Sequence, residues 1–185
     1  MSKIYSLIDT CIYRPIWIQR STREQIVSQE FYDFLNNLEI DVEIIHNSVY
    51  DELGNQLKSR LGAVRARTLL RIMQNDASFE FPDSNSEERN LATEIMGLFP
   101  NNRPATDVNG RVNYRGIGIA DAKLIVFAQR FVATRDFDKF HILTFDQDLR
   151  IALQNPQIGL SQYVVTNIPP AIPEPQVIRS DVPLR

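Results

Sequence analysis

Short apolar runs alternate along the chain with longer segments whose apolar residues recur at helical spacing, separated by polar and turn-forming residues. The run from Ile4 ends at Asp9 and Thr10, which predicts a short buried strand. A loop containing Pro15 and Trp17 is expected next. Ser21 or Thr22 can then cap a helix, with Glu24 close behind. Ile26, Val27, Phe31, Phe34, Leu35 and Leu38 follow at helical spacing and predict a helix over Thr22–Leu38. Ile40–Ile45 reads as a second strand. Asn47 or Ser48 can cap the next helix, which aligns Val49, Leu53, Leu57 and Leu61 on one stripe. Gly62 breaks or bends it, and the apolar spacing from Val64 to Met73 continues it or starts a new helix, out to about Gln74.

Asn75–Ser86 is polar and reads as a loop in which Ser78–Phe81 can form a short strand. Glu87–Leu98 predicts a helix. Asn101–Gly116, rich in Asn, Pro, Asp and Gly, predicts a mobile loop. Ile119–Phe131 is a strongly apolar helix, Phe140–Thr144 a strand leading to Asp146, Gln147–Leu153 a short helix and Gln162–Thr166 a last strand. Strands alternating with helices imply a parallel sheet covered on both faces, with right-handed crossovers. From Ile168 the composition shifts, since Pro169, Pro170, Pro173, Pro175 and Pro183 are half of the 10 prolines. Such a stretch is neither helix nor inner strand. The expected organisation is one domain over residues 1–167 and a Pro-rich tail over 168–185. An extended surface segment is the favoured reading of that tail; a partner-binding segment is the sharper one.

The 185 residues, 43% hydrophobic and 23% charged, suffice for one core. No segment is apolar for long enough to span a bilayer. Asp9 within the first apolar stretch, without a small-residue cleavage site, argues against a signal peptide. Cys11 is the single cysteine, so an internal disulfide is excluded, and a cytoplasmic location is expected. A net charge of −3 and a pI of about 5.4 give no global pull on nucleic acid. A nucleic-acid role therefore needs local basic patches together with bound metal.

Candidate chemistry gathers on acidic residues at the ends of apolar runs: Asp9, Glu52, Asp121 and Asp146. A strand that ends in Asp aims a carboxylate at the carboxyl edge of a parallel sheet, where α/β folds keep their sites. Carboxylates gathered there repel one another by ~4 kcal/mol per pair at ~4 Å and an effective dielectric of ~20. Such a site favours a divalent cation, and oxygen-only ligands point to Mg²⁺ or Mn²⁺. The most specific motif is LTFDQDL, in which Asp146 and Asp148 lie two apart and Thr144 offers a hydroxyl. Each carboxylate also has a plainer reading. Asp146 can be only a helix cap, Asp9 a turn residue and Glu52, beside Asp51, solvated surface. Asp121, near a helix start between Ala120 and Ala122, is harder to dismiss.

RGIGIAD resembles the start of a dinucleotide fingerprint, but Asp121 stands at the third glycine position and no strand clearly precedes it. There is no P-loop, no CxxC and no GxSxG elbow, and His46 and His141 stand apart, which argues against zinc. Lys58, Arg60, Arg65, Arg67 and Arg71 cluster in one helical stretch; Arg103, Arg111 and Arg115 precede Asp121. Alone they read as solvated surface. Beside an acidic metal pocket, arginines of this kind, Arg65, Arg67 and Arg115 foremost, can hold RNA phosphates.

In order and spacing the residues resemble a PIN domain. IDTCIY at residues 8–13 resembles the family's opening strand-Asp-Thr motif, SVYDEL the second-helix segment that supplies a Glu, IADAKLIVFAQ the third acidic motif and LTFDQDL the TxDxDL motif. The match runs from about Ile4 to Thr166. The resemblance implies a three-layer α/β/α sandwich with a central parallel sheet and metal-dependent RNA cleavage, as in the toxin ribonucleases of toxin–antitoxin pairs. It implies Asp9, Glu52, Asp121 and Asp146 as acidic ligands, with Asp148 as an auxiliary. The implied partners are RNA and an antitoxin or other protein, with no membrane; a homodimer stays open. Two departures stand out. Cys11 occupies a position where family members often carry Asn, and the chain adds a long segment from Asp76 to Gly116 and the Pro-rich tail.

The expected reaction is phosphodiester hydrolysis with Mg²⁺ or Mn²⁺ anchored by Asp9, Asp121 and Asp146. Glu52 would hold a second ion or orient water, and Thr10 or Thr144 would position a ligand. The rival is a catalytically silent PIN-like module that binds RNA or protein. An aspartate-phosphorylated receiver or a haloacid-dehalogenase-type phosphatase fits less well. The phosphatase needs a second Asp where Cys11 stands, and the receiver's paired acids and later Lys are not evident.

Overall fold

The computed structural model describes residues 3–22, 27–82, 86–100, 103–106 and 112–171. Four strands form one parallel sheet: β1 (Ile4–Ile8), β2 (Val42–Ile44), β3 (Phe79–Glu80) and β6 (Lys139–Leu143), in the order β3-β2-β1-β6. β1 lies inside the sheet, paired on both edges, and Tyr5, Leu7 and Ile8 are all buried. A strand covered on both faces has to read as a nearly continuous apolar run, as this one does. The intervening helices are α1 (Thr10–Thr22), α2 (Gln29–Asn37), α3 (Asn47–Leu61), α4 (Ala63–Gln74), α5 (Ser86–Leu98), α6 (Ile119–Thr134) and α7 (Gln147–Gln154). α3 packs on α1, α4 and α6, and α5 packs on α6. The architecture is the expected three-layer α/β/α sandwich with a central parallel sheet. Among the described residues no helix is long and apolar enough to cross a membrane.

α1 corrects the expectation of a loop through Pro15 and Trp17. The proline withholds one helical hydrogen bond and costs ~3 kcal/mol. Against that, Ile12, Tyr13, Ile16 and Trp17 fall on one face and are 0–8% exposed. Burying large apolar side chains gives ~1.5–3 kcal/mol each, so the helix wins. The single helix expected over Thr22–Leu38 is accordingly divided. Thr22 closes α1, and Ser28 caps α2 by accepting the Phe31 amide at 3.2 Å. The Ser28 hydroxyl also donates to the Pro170 carbonyl, and its amide to that of Ala171, both at 2.8 Å. Ala171 is buried, so the first residues of the Pro-rich stretch pack on the domain; residues 172–185 lie outside the described ones.

Three further expectations change. The turn-rich segment before Gly116 contains an antiparallel ribbon, β4 (Arg103–Thr106) with β5 (Val112–Arg115). Pro104 is tolerated there because a two-stranded ribbon leaves edges free of inner ladder bonds. A strand thus does precede Gly116, but outside the parallel sheet. The last strand, expected over Gln162–Thr166, is reduced to one parallel bridge, Val164 to Ile142, after a 3₁₀ turn at Ser161–Tyr163. Finally, His46 rather than Asn47 or Ser48 caps α3, its Nδ1 accepting the Ser48 amide at 3.2 Å. Its Nε2 lies 2.9 Å from Glu88 Oε1 of α5. Burial, helped by Lys123, pushes the imidazole down to about 4, so near neutral pH the uncharged ring is free to accept at Nδ1.

Helix α6 is placed by aromatic packing. Phe131 lies 4.7 Å from Phe140 and 5.1 Å from Tyr5, between ring centroids. These partners stand near the starts of β6 and β1. From Phe131 back to Asp121 the helix climbs ~15 Å, while β1 advances ~13 Å from Tyr5 to Asp9. The start of α6 therefore reaches the carboxyl edge of the sheet.

Candidate active site

Parallel register decides which side chains meet. Ile8 of β1 pairs with Leu143 of β6, and the Asp9 amide donates to the Leu143 carbonyl at 3.0 Å. The two chain exits, Asp9–Thr10–Cys11 and Thr144–Phe145–Asp146, consequently leave the sheet side by side. A cavity of about 450 Å³ opens there, lined by Asp9, Thr10, Cys11, Arg14, Glu52, Gln56, Ala120, Asp121, Phe145 and Asp146. Carboxylates from four separate parts of the chain thus face one space.

Asp9, 7% exposed, is the most tightly held. Its Oδ1 accepts the Thr10 amide at 2.6 Å; its Oδ2 accepts the Thr144 hydroxyl at 2.7 Å and the Cys11 thiol at 2.9 Å. The Thr144 hydroxyl in turn accepts the Asp146 amide at 2.9 Å, and the Cys11 sulfur accepts the Phe145 amide at 3.1 Å. Thr144 and Cys11 therefore tie the end of β1 to the segment that carries Asp146. Burial, then the Asp9 charge and its hydrogen bond, push the Cys11 thiol up to about 12. The sulfur stays protonated and serves as a donor to Asp9.

Glu52, exposed, projects from α3; its Oε2 accepts the Thr10 hydroxyl at 3.1 Å and its Oε1 the Gln56 amide at 2.7 Å. Asp121, in the first turn of α6, accepts the Gly118 amide at 2.8 Å. That amide is one a pyrophosphate would need, which reinforces the rejection of a dinucleotide site. Asp146 caps α7, its Oδ1 accepting the amides of Asp148 and Leu149 at 2.7 and 3.0 Å. Burial raises the Asp121 carboxyl to about 6, against the pull of the Gly118 amide, and the charges of Asp9, Asp146 and Glu52 add to the rise.

A hard cation suits these donors in chemistry. They are all oxygens, and Asp121 Oδ1 and Asp146 Oδ2 accept no hydrogen bond among the described residues. Their mutual repulsion is what a cation relieves. Among the described residues, however, no three His, Cys, Asp or Glu side chains stand close enough together to hold an ion as they lie.

The predicted site residues distribute unevenly. Asp9, Thr10, Glu52, Asp121 and Asp146 line the cavity, and Thr144 supports it from beneath. Asp148, in the first turn of α7, is not among the lining residues. Neither are Arg65 and Arg67 of α4. Arg115 ends β5, but its side chain lies outside those described, and Arg111 lies outside the described residues altogether. Of the lining residues to which the sequence reading gives no role, Arg14 and Cys11 carry chemistry. Arg14 was missed because a loop was expected where α1 sets it one turn beyond Thr10. Cys11 registered only as a departure from a motif; its place directly after Asp-Thr was the signal.

No family model and no curated protein matches the sequence. Among solved structures the chain is similar to VapC20 of Mycobacterium tuberculosis, described as a sarcin-ricin loop cleaving toxin. The two share 15% identity over 80% of this chain and 94% of that one, with a TM-score of 0.53. This fold is PIN-like. At that identity the likeness speaks to the fold alone, and the chemistry has to be argued from the cavity.

Proposed function

We propose that the protein is a Mg²⁺- or Mn²⁺-dependent ribonuclease that hydrolyses RNA phosphodiester bonds, and that it is the toxin of a toxin–antitoxin pair. The observation that carries the reading is the convergence of Asp9, Glu52, Asp121 and Asp146 on one cavity at the carboxyl edge of a PIN-like sheet. The named activity of VapC20, cleavage of the sarcin-ricin loop, supports RNA as the substrate class. The domain of residues 1–167 would carry the chemistry, and the tail and an antitoxin its control.

In this reading Asp9, Asp121 and Asp146 would hold the cation and Glu52 would hold a second one or orient water, with Asp148 as an auxiliary. The chemistry such an ion would supply is a more acidic water and neutralisation of charge on the departing oxygen. The chain's own residues do the rest. Thr144 and Cys11 fix the Asp9 carboxylate by hydrogen bonds to Oδ2. Thr10 fixes Glu52 through its hydroxyl. Arg14, on the cavity wall, supplies a guanidinium for a phosphate oxygen.

The test is cleavage of a fluorogenic oligoribonucleotide by purified protein in Mn²⁺ and in EDTA. Wild type should cleave in Mn²⁺ and not in EDTA, and Asp9→Asn should be inactive with its circular dichroism spectrum unchanged. Full activity in Asp9→Asn overturns the assignment. A wild-type protein that binds RNA in Mn²⁺ without cutting it establishes the silent module instead.

A further inference from the structure

α3 serves two sites. Glu52 enters the acidic cavity, while the other flank of the helix packs against α4 and leaves a groove of about 760 Å³. Tyr50, Asp51 and Lys58 of α3 line this groove, facing Arg67 and Arg71 of α4. The helices approach closely at its floor, where a Cβ on Gly54 would meet Leu70 Cδ1 at 3.2 Å. Lys58, Arg67 and Arg71 are exposed, and none has an ion-pair partner among the described residues. Three cations thus stand against one carboxylate, Asp51. Unpaired like charges held around one groove repel each other and favour a polyanion as occupant. Tyr50 adds an aromatic ring at one end, set edge-on to Phe81 at 5.5 Å. Cations along a groove with an aromatic at one end form a surface suited to single-stranded nucleic acid.

We propose that this groove carries a single-stranded stretch of the RNA substrate that reaches the cavity across α3, with phosphates on Lys58, Arg67 and Arg71 and a base on Tyr50. The inference rests on the ribonuclease reading for the identity of the polyanion. Groove and cavity flank one helix: Tyr50, Asp51 and Lys58 of α3 line the groove and Glu52 and Gln56 the cavity, so a strand joining them crosses the exposed side of α3. Between Asp51 and Lys58 the helix rises ~10 Å, room for about three phosphates at the ~3.4 Å spacing of a stacked strand. Of the basic residues on these helices the geometry selects Lys58, Arg67 and Arg71; Arg60 and Arg65 do not line the groove.

Binding in EDTA separates this inference from catalysis. The probe is a fluorescein-labelled oligouridylate of about twelve nucleotides, followed by anisotropy across salt from about 50 to 200 mM. The variant combines Lys58→Gln, Arg67→Gln and Arg71→Gln; a charge-matched control combines Lys3→Gln, Arg89→Gln and Lys139→Gln, all exposed and outside the groove. Each lost phosphate contact lowers the salt slope by ~0.7, so the groove variant's slope should fall by about 2. Across that salt range wild type should lose ~20-fold more affinity than the groove variant does. The control should track wild type. Equal slopes and affinities in the groove variant and the control overturn the inference, as does tighter binding of a polyglutamate peptide than of the oligouridylate. If Asp9→Asn still cleaves, the ribonuclease site is misassigned while the binding result still decides the groove.

Discussion

Replacing Asp146 by Asn keeps a helix cap and removes a charge, so it separates two roles that Ala removes together. Asp146 Oδ1 accepts the Asp148 and Leu149 amides at 2.7 and 3.0 Å. Asn caps as well as Asp, whereas Ala loses about 1 kcal/mol, which is about 2–4 °C in a chain of this size. Asn also removes one of the charges that raise the Asp121 carboxyl. Thermal melts in EDTA should therefore place Asp146→Asn level with or slightly above wild type and Asp146→Ala about 2–4 °C below Asp146→Asn. Saturating Mn²⁺ acts by mass action: at a hundredfold excess over its Kd it adds ~2.7 kcal/mol, or ~5–10 °C. That increment should be present in wild type and lost in both variants, together with cleavage. An Asn variant that keeps the full Mn²⁺ shift refutes the ligand role. Asn and Ala variants melting together, well below wild type in EDTA, would refute the capping argument instead.

Cys11→Ser retains a donor for Asp9 and an acceptor for the Phe145 amide, whereas Cys11→Val leaves that amide without its partner. Loss of such support should lower cleavage by the Val variant ~10–100-fold and its stability by ~1–3 kcal/mol, with Ser restoring most of both. A Val variant equal to wild type in rate and melting would sink the positioning role. For Asp121 the folded pKa, about 6, lies above the ordinary 3.8. Its contribution to stability in EDTA is thus full below the lower value and is lost as pH rises through the upper one. Asp121→Asn, which can still accept the Gly118 amide, should gain on wild type by ~1–3 kcal/mol between about pH 4 and 7.5. Melts at the two pH values check this, and a pH-independent difference would contradict it.

The alternation of strands and helices was legible because its causes are local. An apolar run buried on both faces, as in β1, or a stripe such as Val49, Leu53 and Leu57, declares its element before any tertiary contact forms. Asp9 and Asp146 could be placed beyond strand ends for the same reason. Local rules failed where a long-range term outweighed them. Pro15 argued for a loop, and the burial of Ile12, Tyr13, Ile16 and Trp17 against the rest of the core reversed that argument. Arg14 was lost with the helix.

By itself the chain determined its class of fold and the carboxylates worth watching, because period, caps and strand-end acids are properties of neighbouring residues. Tertiary structure alone decided that Ile8 pairs with Leu143, so that Cys11 and Thr144 meet on one oxygen of Asp9. It alone chose Lys58, Arg67 and Arg71 from a run of similar cations. Register and helix packing are set by burial summed over residues far apart in sequence, and no local pattern carries that sum.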